Sequence, residues 1–268
     1  MNYPSLTSII AGCFFGVVIA YASYRLRALT VSGAISAAIL GTVIFGLGGL
    51  GHTAVLLGFF LSSSLLSKLF KDGKRSINEK YAKGSRRDAW QVLANGGVAG
   101  FCVILIAIFP ENPLFWLMFC ASLAAANADT WATELGIFSK SSPRLITNLK
   151  SVEKGTSGGI TFIGSLSALA GAAIIAGIAS FFVPGTLVFV WITLAGFFGS
   201  LVDSWVGASI QGVYYCRICQ KETEKYPIHS CGAGTELLRG KLWINNDWVN
   251  TFCTLSAAIF IYIVCILN

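Results

Sequence analysis

The chain has 268 residues, of which 55% are hydrophobic and only 12% are charged, and its formal net charge is +7. A soluble domain carries about a quarter charged residues, so this chain has too few charged side chains to cover a surface in water, and a soluble globular protein is excluded. Its mean hydropathy of +0.72 is typical of a chain whose solvent is lipid. The composition predicts an all-α polytopic membrane protein in which residues 1–268 form a single integral membrane domain.

Eight apolar stretches follow one another along the chain, each close to the roughly 20 residues that a helix needs to cross a bilayer. They run approximately over Leu6–Tyr24, Val31–Gly49, His52–Phe70, Trp90–Phe109, Leu114–Trp131, Gly159–Phe182, Leu187–Ser209 and Val249–Leu267. We therefore predict eight transmembrane helices, of which the second and third are joined by the glycine-rich corner Gly46–Gly51.

The positions of the basic residues predict how these helices are oriented. Alternate threading places all 19 Lys and Arg residues on one side of the membrane. Because positive loops stay in the cytoplasm, both termini are expected outside. The first stretch has no basic leader or cleavage site, so we expect a retained helix in a prokaryotic cytoplasmic membrane. Basic residues that border a bilayer also argue against a nucleic-acid partner, whereas a homo-oligomer is left open.

Acidic side chains near the ends of two predicted spans are candidates for a site, because an ionisable residue is costly within a membrane. In the fifth span, helical spacing puts Asn127, Thr130 and Glu134 on one face and Asp129 on another. Either this helix opens near its end, or a second helix completes the cluster with Asp203. Carboxylates from two helices suit Mg²⁺, so Asp129 and Asp203 are predicted to be metal ligands. Salt bridges with loop lysines are the alternative.

A glycine-rich segment between the fifth and sixth spans is a candidate phosphate site. It reads Lys150-Ser-Val-Glu153-Lys154-Gly155-Thr156-Ser157-Gly158-Gly159. Glycines and hydroxyls before a helix expose backbone N–H groups to an anion, although the segment is not a Walker A loop. In the alternative interpretation, Thr156 or Ser157 caps the helix and the glycines only pack.

Further polar residues near the basic side could contact an anionic substrate. The residues predicted to do so are Arg86, Arg87, Asn95, Asn246 and Asp247, with Asp88 orienting the two arginines. The alternative for the last two is that they cap the final helix. The neighbouring Lys74, Arg75, Lys80 and Lys83 are expected to anchor lipid headgroups.

The last basic loop, residues 213–247, carries a possible zinc motif in Cys216, Cys219, His229 and Cys231. Three thiolates and an imidazole satisfy tetrahedral Zn²⁺, and the C-x-x-C spacing is common in such sites. Four protein ligands leave no open position, so the predicted role is structural. Free reduced thiols are the alternative, and disulfides are not expected on a cytoplasmic side.

The motifs Asn127–Gly136 and Lys150–Gly159 resemble those of a family of integral membrane proteins that includes the phytyl-phosphate kinases. Further matches are Ser62–Ser67, Arg86–Asp88, Val92–Gly96, Asp203–Ala208 and Cys216–Gly232. More distantly, the acidic span end and the glycine segment are similar to motifs of CTP-dependent polyprenol kinases and CDP-diacylglycerol synthases. The chain departs from those relatives in having Lys154 between Glu153 and Gly155.

The resemblance implies an enzyme that transfers a phosphoryl group from a nucleoside triphosphate, with CTP expected, to an isoprenyl monophosphate such as phytyl or geranylgeranyl phosphate. It implies catalytic roles for Asp129, Glu134, Lys150, Glu153 and Asp203. It also implies roles in nucleotide or acceptor binding for a larger set of residues: Asn127, Thr130, Lys154, Gly155, Thr156, Ser157, Gly158, Arg86, Arg87, Asn95, Asn246 and Asp247. One alternative is a cytidylyltransferase that makes a CDP-lipid. The other is a transporter of an anionic metabolite, which the crowding of acidic groups at one face disfavours.

Overall fold

The computed structural model describes residues 6–70, 82 and 86–267. Within that part of the chain seven helices form a bundle: α1 (Leu6–Arg25), α2 (Val31–Leu69), α3 (Ala89–Ile108), α4 (Leu114–Gly136), α5 (Phe162–Ser180), α6 (Thr186–Ser209) and α7 (Asn246–Leu267). Six of them, all but α4, are long and apolar enough to cross a membrane. The predicted headgroup anchors Lys74, Arg75, Lys80 and Lys83 lie outside the described residues.

The helix α2 contains the predicted glycine-rich corner. Gly49 departs from helical geometry, with φ 74° and ψ −160°, in a region that only glycine adopts readily. The backbone N–H of Thr30 donates to the Arg87 carbonyl over 3.0 Å, and Nη2 of Arg87 donates to Ser63 Oγ over 3.2 Å. Both ends of α2 thus lie beside Arg87, whereas a straight helix of its 39 residues would extend about 58 Å. The chain therefore reverses direction at Gly49. The count of eight crossings and the outward termini remain predictions.

The helix α4 lies in the centre of the bundle and contacts α2, α3, α5, α6 and α7. Small residues allow this close packing: a Cβ atom on Gly196 would lie 2.7 Å from that of Ala124, and one on Gly199 would lie 2.6 Å from that of Ala125. Because protein surrounds α4, it needs less apolar surface than a helix that faces lipid. It remains regular to Gly136, so the alternative in which it opens near its acidic end is wrong.

Short strands at one end of the bundle correct the all-α prediction, although the chain is mostly helical. They are β1 (Arg144–Leu145), β2 (Gly159–Ile160), β3 (Val213–Cys216), β4 (Lys221–Thr223) and β5 (Glu236–Arg239). Strands β1 and β2 pair antiparallel, and β4-β3-β5 form an antiparallel sheet. Because β2 follows the glycine segment, α5 begins only at Phe162, where Thr161 Oγ1 accepts from the Gly164 N–H over 3.0 Å. Capping of this helix by Thr156 or Ser157 is therefore wrong.

Candidate active site

A polar cavity of about 360 Å³ lies where α2, α4 and α6 end and where α3, α5 and α7 begin. Many residues that the sequence proposed for a site line its wall: Arg87, Asn95, Asp129, Thr130, Glu134, Lys154, Gly155, Thr156, Ser157, Gly158, Asp203, Asn246 and Asp247. Helix ends from distant parts of the sequence thus meet around one space. Their roles remain predictions.

Two carboxyl groups from different helices meet in this cavity. Asp129 of α4 and Asp203 of α6 are in side-chain hydrogen-bonding contact. Two ionised carboxylates about 4 Å apart repel by about 4 kcal/mol at an effective dielectric constant of about 20, so the pair favours a cation or a shared proton between them. Oδ2 of Asp203 is buried and has no hydrogen-bond partner among the residues that the structure describes. Such an oxygen set fits Mg²⁺, which takes hard oxygen ligands.

Glu134 occupies the part of the wall near the end of α2. It is buried, and its Oε1 accepts from Ser67 Oγ over 2.6 Å. Burial lowers the pKa of the Arg87 guanidinium, and the charge of Glu134 opposes that effect. The guanidinium of Arg87 also lies 5.6 Å from the centre of the Phe59 ring. A partly buried cation thus lies near an aromatic ring at the cavity wall, where the charge of a carboxylate favours it.

The backbone of the glycine segment packs closely against the end of α6. Gly158 has φ +81°, and a Cβ atom there would collide with the backbone nitrogen of Ala208. Arg239 fixes this contact: its Nη1 donates to the carbonyls of Gly207 and Ala208 over 2.9 and 2.7 Å, and its Nη2 donates to that of Ser157 over 3.0 Å. The backbone of the segment is therefore held at the cavity by a residue that is distant in sequence.

Three functional candidates, Gln211, Glu224 and Arg239, escaped the sequence analysis. Ser157 Oγ donates to Gln211 Oε1, and Gln211 Nε2 donates to Glu224 Oε1 over 3.0 Å. Burial raises the pKa of the Glu224 carboxyl to about 7, although the Gln211 hydrogen bond and the charge of Arg239 act in the opposite direction. Glu224 lines the polar cavity. Gln211 precedes β3, Glu224 follows β4 and Arg239 ends β5, and they have no recognisable spacing, so no sequence signal could have found them.

The charged residues of the glycine segment do not all reach the cavity. Lys150 and Glu153 are exposed and are not part of its wall, because the turn that contains them extends outward beyond the bundle. The ammonium group of Lys154 donates to the carbonyls of Ile137 and Ser139 over 2.8 and 2.7 Å. Lys154 thus joins the glycine segment to the end of α4.

Asn127 and Arg86 also lie away from the cavity wall, contrary to their predicted binding roles. Asn127 is fully buried between helices, where its Oδ1 accepts from Ser62 Oγ over 2.7 Å and its Nδ2 donates to the Gly171 carbonyl over 2.8 Å. Arg86 donates to the carbonyl of Leu29 over 2.9 Å. The hydrogen bonds of both side chains thus connect separate elements of the fold.

The position of Asp88 is explained by helix capping and not by contact with a substrate. It caps α3, since its Oδ1 accepts from the Gln91 N–H over 2.9 Å, and Gln91 Oε1 accepts in return from the Asp88 N–H over 3.1 Å. This capping box fixes the start of α3. It also places Gln91, together with Asn95 one turn later, at the cavity wall.

A second cavity, of about 90 Å³ and almost wholly apolar, lies beside the first between α1, both halves of α2 and the start of α3. Apolar side chains such as Phe15, Leu40 and Leu57 line it. Arg87, Gln91 and Asn95 line both cavities. The polar cavity and the apolar cavity are therefore adjacent at Arg87, Gln91 and Asn95.

The four predicted zinc ligands come together outside the helical bundle. The ligand atoms of Cys216, Cys219, His229 and Cys231 all lie within 4.8 Å of one another. The structure thus joins two short motifs that are separated by the strand β4.

Comparison with known proteins yields a family and several relatives. The family model described as "Integral membrane protein DUF92" matches residues 14–258, which include the whole wall of the polar cavity. The chain is 32% identical to Protein PGR of Arabidopsis thaliana, over 91% of this chain and 94% of that protein. It is 37% identical to the uncharacterized membrane protein MJ0933 of Methanocaldococcus jannaschii, over 71% and 78%. It is 25% identical to Protein VTE6, chloroplastic, of Arabidopsis thaliana, over 83% and 61%. No solved structure matches the chain.

Proposed function

The chain belongs to the DUF92 family of integral membrane proteins, and we propose that it is a membrane kinase. In this proposal it transfers the γ-phosphoryl group of a nucleoside triphosphate, with CTP expected, to an isoprenyl monophosphate such as phytyl or geranylgeranyl phosphate, and it requires Mg²⁺. The active site faces the cytoplasm or its equivalent compartment. The observation that carries the proposal is the junction of the polar cavity with the apolar one.

This junction fits an amphiphilic acceptor. A free metabolite would need only the polar cavity, whereas an isoprenyl phosphate needs an anion site that continues into an apolar space. Arg87, Gln91 and Asn95 border both spaces, and an arginine fork is well suited to a phosphate. The resemblance of the motifs to those of phytyl-phosphate kinases supports the same class of acceptor.

The polar residues suit phosphoryl transfer. In this reaction an oxygen of the acceptor phosphate bonds to the γ-phosphorus, the bond from that phosphorus to the β–γ bridging oxygen breaks, and the nucleoside diphosphate leaves. The acceptor phosphate is largely dianionic at pH 7, because its second pKa is about 6, so no strong general base is required. Catalysis then depends on positioning and on charge neutralisation.

The residues of the chain divide these tasks between them. Arg87 and Asn95 orient the acceptor phosphate, while the backbone of residues 155–158 binds the phosphates of the nucleotide. Asp129 and Asp203 would hold Mg²⁺, which when bound neutralises phosphate charge. Lys154 keeps the glycine segment attached to the end of α4 through its two carbonyl contacts.

A cytidylyltransferase that forms a CDP-lipid is the alternative, because it would use the same cavity and the same charges. The two reactions differ in the bond that breaks. A kinase releases CDP and forms a prenyl diphosphate, whereas the alternative releases pyrophosphate and forms a CDP-lipid. A transporter is disfavoured because the acidic side chains gather at one end of the bundle.

A product assay distinguishes these functions. The purified protein in detergent is incubated with CTP, Mg²⁺ and geranylgeranyl phosphate, and the products are identified by mass. We expect CDP and geranylgeranyl diphosphate in equal amounts. Pyrophosphate with a CDP-lipid would replace the kinase by the cytidylyltransferase. Accumulation of an anion in proteoliposomes without nucleotide consumption would indicate transport.

A steric variant tests where the acceptor binds. Ala37 lines the apolar cavity, while Ile39 on the same helix is 62% exposed outside it. An apolar cavity of about 150 Å³ holds a benzene ring, so the phenyl group of Ala37→Phe would fill the space. The space accommodates about four acceptor carbons, worth about 0.8 kcal/mol each. Losing these contacts costs about 3 kcal/mol, so we expect KM for the prenyl phosphate to rise on the order of a hundredfold, with KM for CTP unchanged. Ile39→Phe is the matched control, and equal effects of the two variants would contradict this acceptor site.

A further inference from the structure

We propose that Cys216, Cys219, His229 and Cys231 bind one Zn²⁺ ion, and that this ion holds the β4-β3-β5 sheet in place under the polar cavity. The site lies outside the bundle of helices and takes no part in the proposed transfer reaction. It therefore stands independently of the proposed function.

The ligand atoms of the cluster are close enough together to share one zinc ion. Sγ of Cys216 lies 3.6 Å from Sγ of Cys231, and Nδ1 of His229 lies 3.2 Å from the same sulfur. Zn–S bonds of about 2.3 Å in a tetrahedron separate two sulfur atoms by about 3.8 Å. A disulfide would instead require about 2.05 Å, and all these cysteines are free. The four ligand atoms are thus unbonded to one another and close enough to bind one ion.

Local backbone structure presents the ligands in two pairs. Cys216 ends β3 and Cys219 lies in the turn to β4, where Gln220 has a positive φ of 51°. The second pair is on a tight turn, since the Gly232 N–H donates to the His229 carbonyl over 2.9 Å and the His229 N–H donates to the carbonyl of Ala233 over 2.8 Å. Each pair is therefore fixed by its own turn, as the pairs of a zinc site usually are.

The sheet contributes too little hydrophobic core to replace a metal, since among its apolar side chains other than cysteine only Val213 and Tyr214 are buried. Neither hydrophobic cluster among the described residues contains a residue of β3, β4 or β5. A unit this small cannot bury enough apolar surface to fold independently, and structural metals supply that stability in comparable units. The metal would provide the cross-link that the three short strands lack.

The sheet in turn positions the floor of the polar cavity. Gln211 precedes β3, Glu224 follows β4 and Arg239 ends β5. Through these residues the sheet is bonded to Ser157 and to the end of α6. The bound ion therefore fixes one end of the sheet. Gln211 and Arg239, at the opposite end of the sheet, hold the glycine segment in place. Gln211 and Arg239 are positioning residues in this arrangement.

Metal analysis of the full chain tests the proposal. The protein is purified in detergent after expression with added Zn²⁺, dialysed and analysed by mass spectrometry for metals. We expect about one zinc per chain, and its loss in Cys219→Ser and in His229→Ala. Cys265→Ser, at an exposed cysteine of α7, is the matched control and should retain the zinc. A zinc-free native protein, or equal zinc in all variants, would overturn the site.

A second measurement avoids dependence on variants that fail to fold. Co²⁺ added to chelator-treated native protein should give the charge-transfer and d–d absorption bands of a tetrahedral thiolate site. Removal of the metal should also lower the melting temperature and increase proteolysis between Val213 and Arg239, while the helices stay protected. Octahedral Co²⁺ spectra, or proteolysis that is the same with and without metal, would contradict the proposed role.

Discussion

The contact between Asp129 and Asp203 makes an unusual prediction for Asp129→Asn: the variant should gain stability while it loses activity. Two carboxylates about 4 Å apart repel by about 4 kcal/mol at an effective dielectric constant of about 20. This value is an upper limit, because a shared proton relieves part of it. Without divalent cations the variant should therefore melt several degrees above the native protein, at roughly 2–4 °C for each kcal/mol.

Magnesium should reduce this difference. An ion that binds only the folded state at about a hundred times its Kd stabilises it by about 2.7 kcal/mol. The native protein should gain this increment, whereas Asp129→Asn should gain little of it. Turnover of prenyl phosphate should fall by at least about a hundredfold in the variant, because the charge that neutralises the phosphates is no longer held.

The assay measures melting temperature in detergent with chelator and with Mg²⁺, alongside turnover under the same conditions. Glu111→Gln is the matched control, since Glu111 is exposed in the link between α3 and α4 at the opposite end of the bundle. It should change neither quantity. An unchanged Mg²⁺ response in Asp129→Asn, or full turnover, would refute the assignment of the two carboxylates to a cation site.

Three further variants test the surroundings of the cavity. Gly158→Ala places a Cβ atom against Ala208 at a positive φ, and the backbone strain and overpacking together should cost about 2–5 kcal/mol. Gly97→Ala, with open space around it, should cost nothing, and equal melting of the two would contradict the packing. Glu224→Gln should melt above the native protein at pH 8, because ionising a carboxyl whose pKa rises from 4.5 to about 7 costs up to about 3 kcal/mol of folding free energy. The difference should disappear below pH 4.5, and a difference independent of pH would contradict the burial of that charge. Asn127→Ala should lower the melting temperature while KM for both substrates stays unchanged, and a raised KM would return Asn127 to the binding site.

Much of the helical framework is predictable from the sequence because hydropathy is a local property. The helices α1, α3, α6 and α7 begin and end within a few residues of the predicted spans. The largest boundary error is at α4, which continues to Gly136 past its predicted end at Trp131. Polar residues near its end look like a loop in a hydropathy profile, but in the bundle they face other helices and a cavity.

Depth in the bundle explains why some of the site predictions and the structure differ. Asn127 shares a helix face with Thr130 and Glu134, which line the cavity, but it lies about two turns before Glu134, where it is fully buried and contacts Ser62. Sequence proximity also suggested Lys150 and Glu153, whose turn faces outward. Distance along the chain is a poor guide to distance in space once a loop bends.

The sequence by itself determined that this is a membrane protein and that its basic residues gather between particular spans, and it contained the two halves of the cysteine–histidine cluster. Composition, hydropathy and spacing are properties of the chain alone, so no fold was needed to see them. Only the tertiary structure decided which helix ends meet, that Asp129 contacts Asp203, and that Gln211 and Arg239 support the glycine segment. It also created the apolar cavity beside Arg87. These features depend on long-range packing between small residues of neighbouring helices, and such packing has no period or spacing that a single sequence displays.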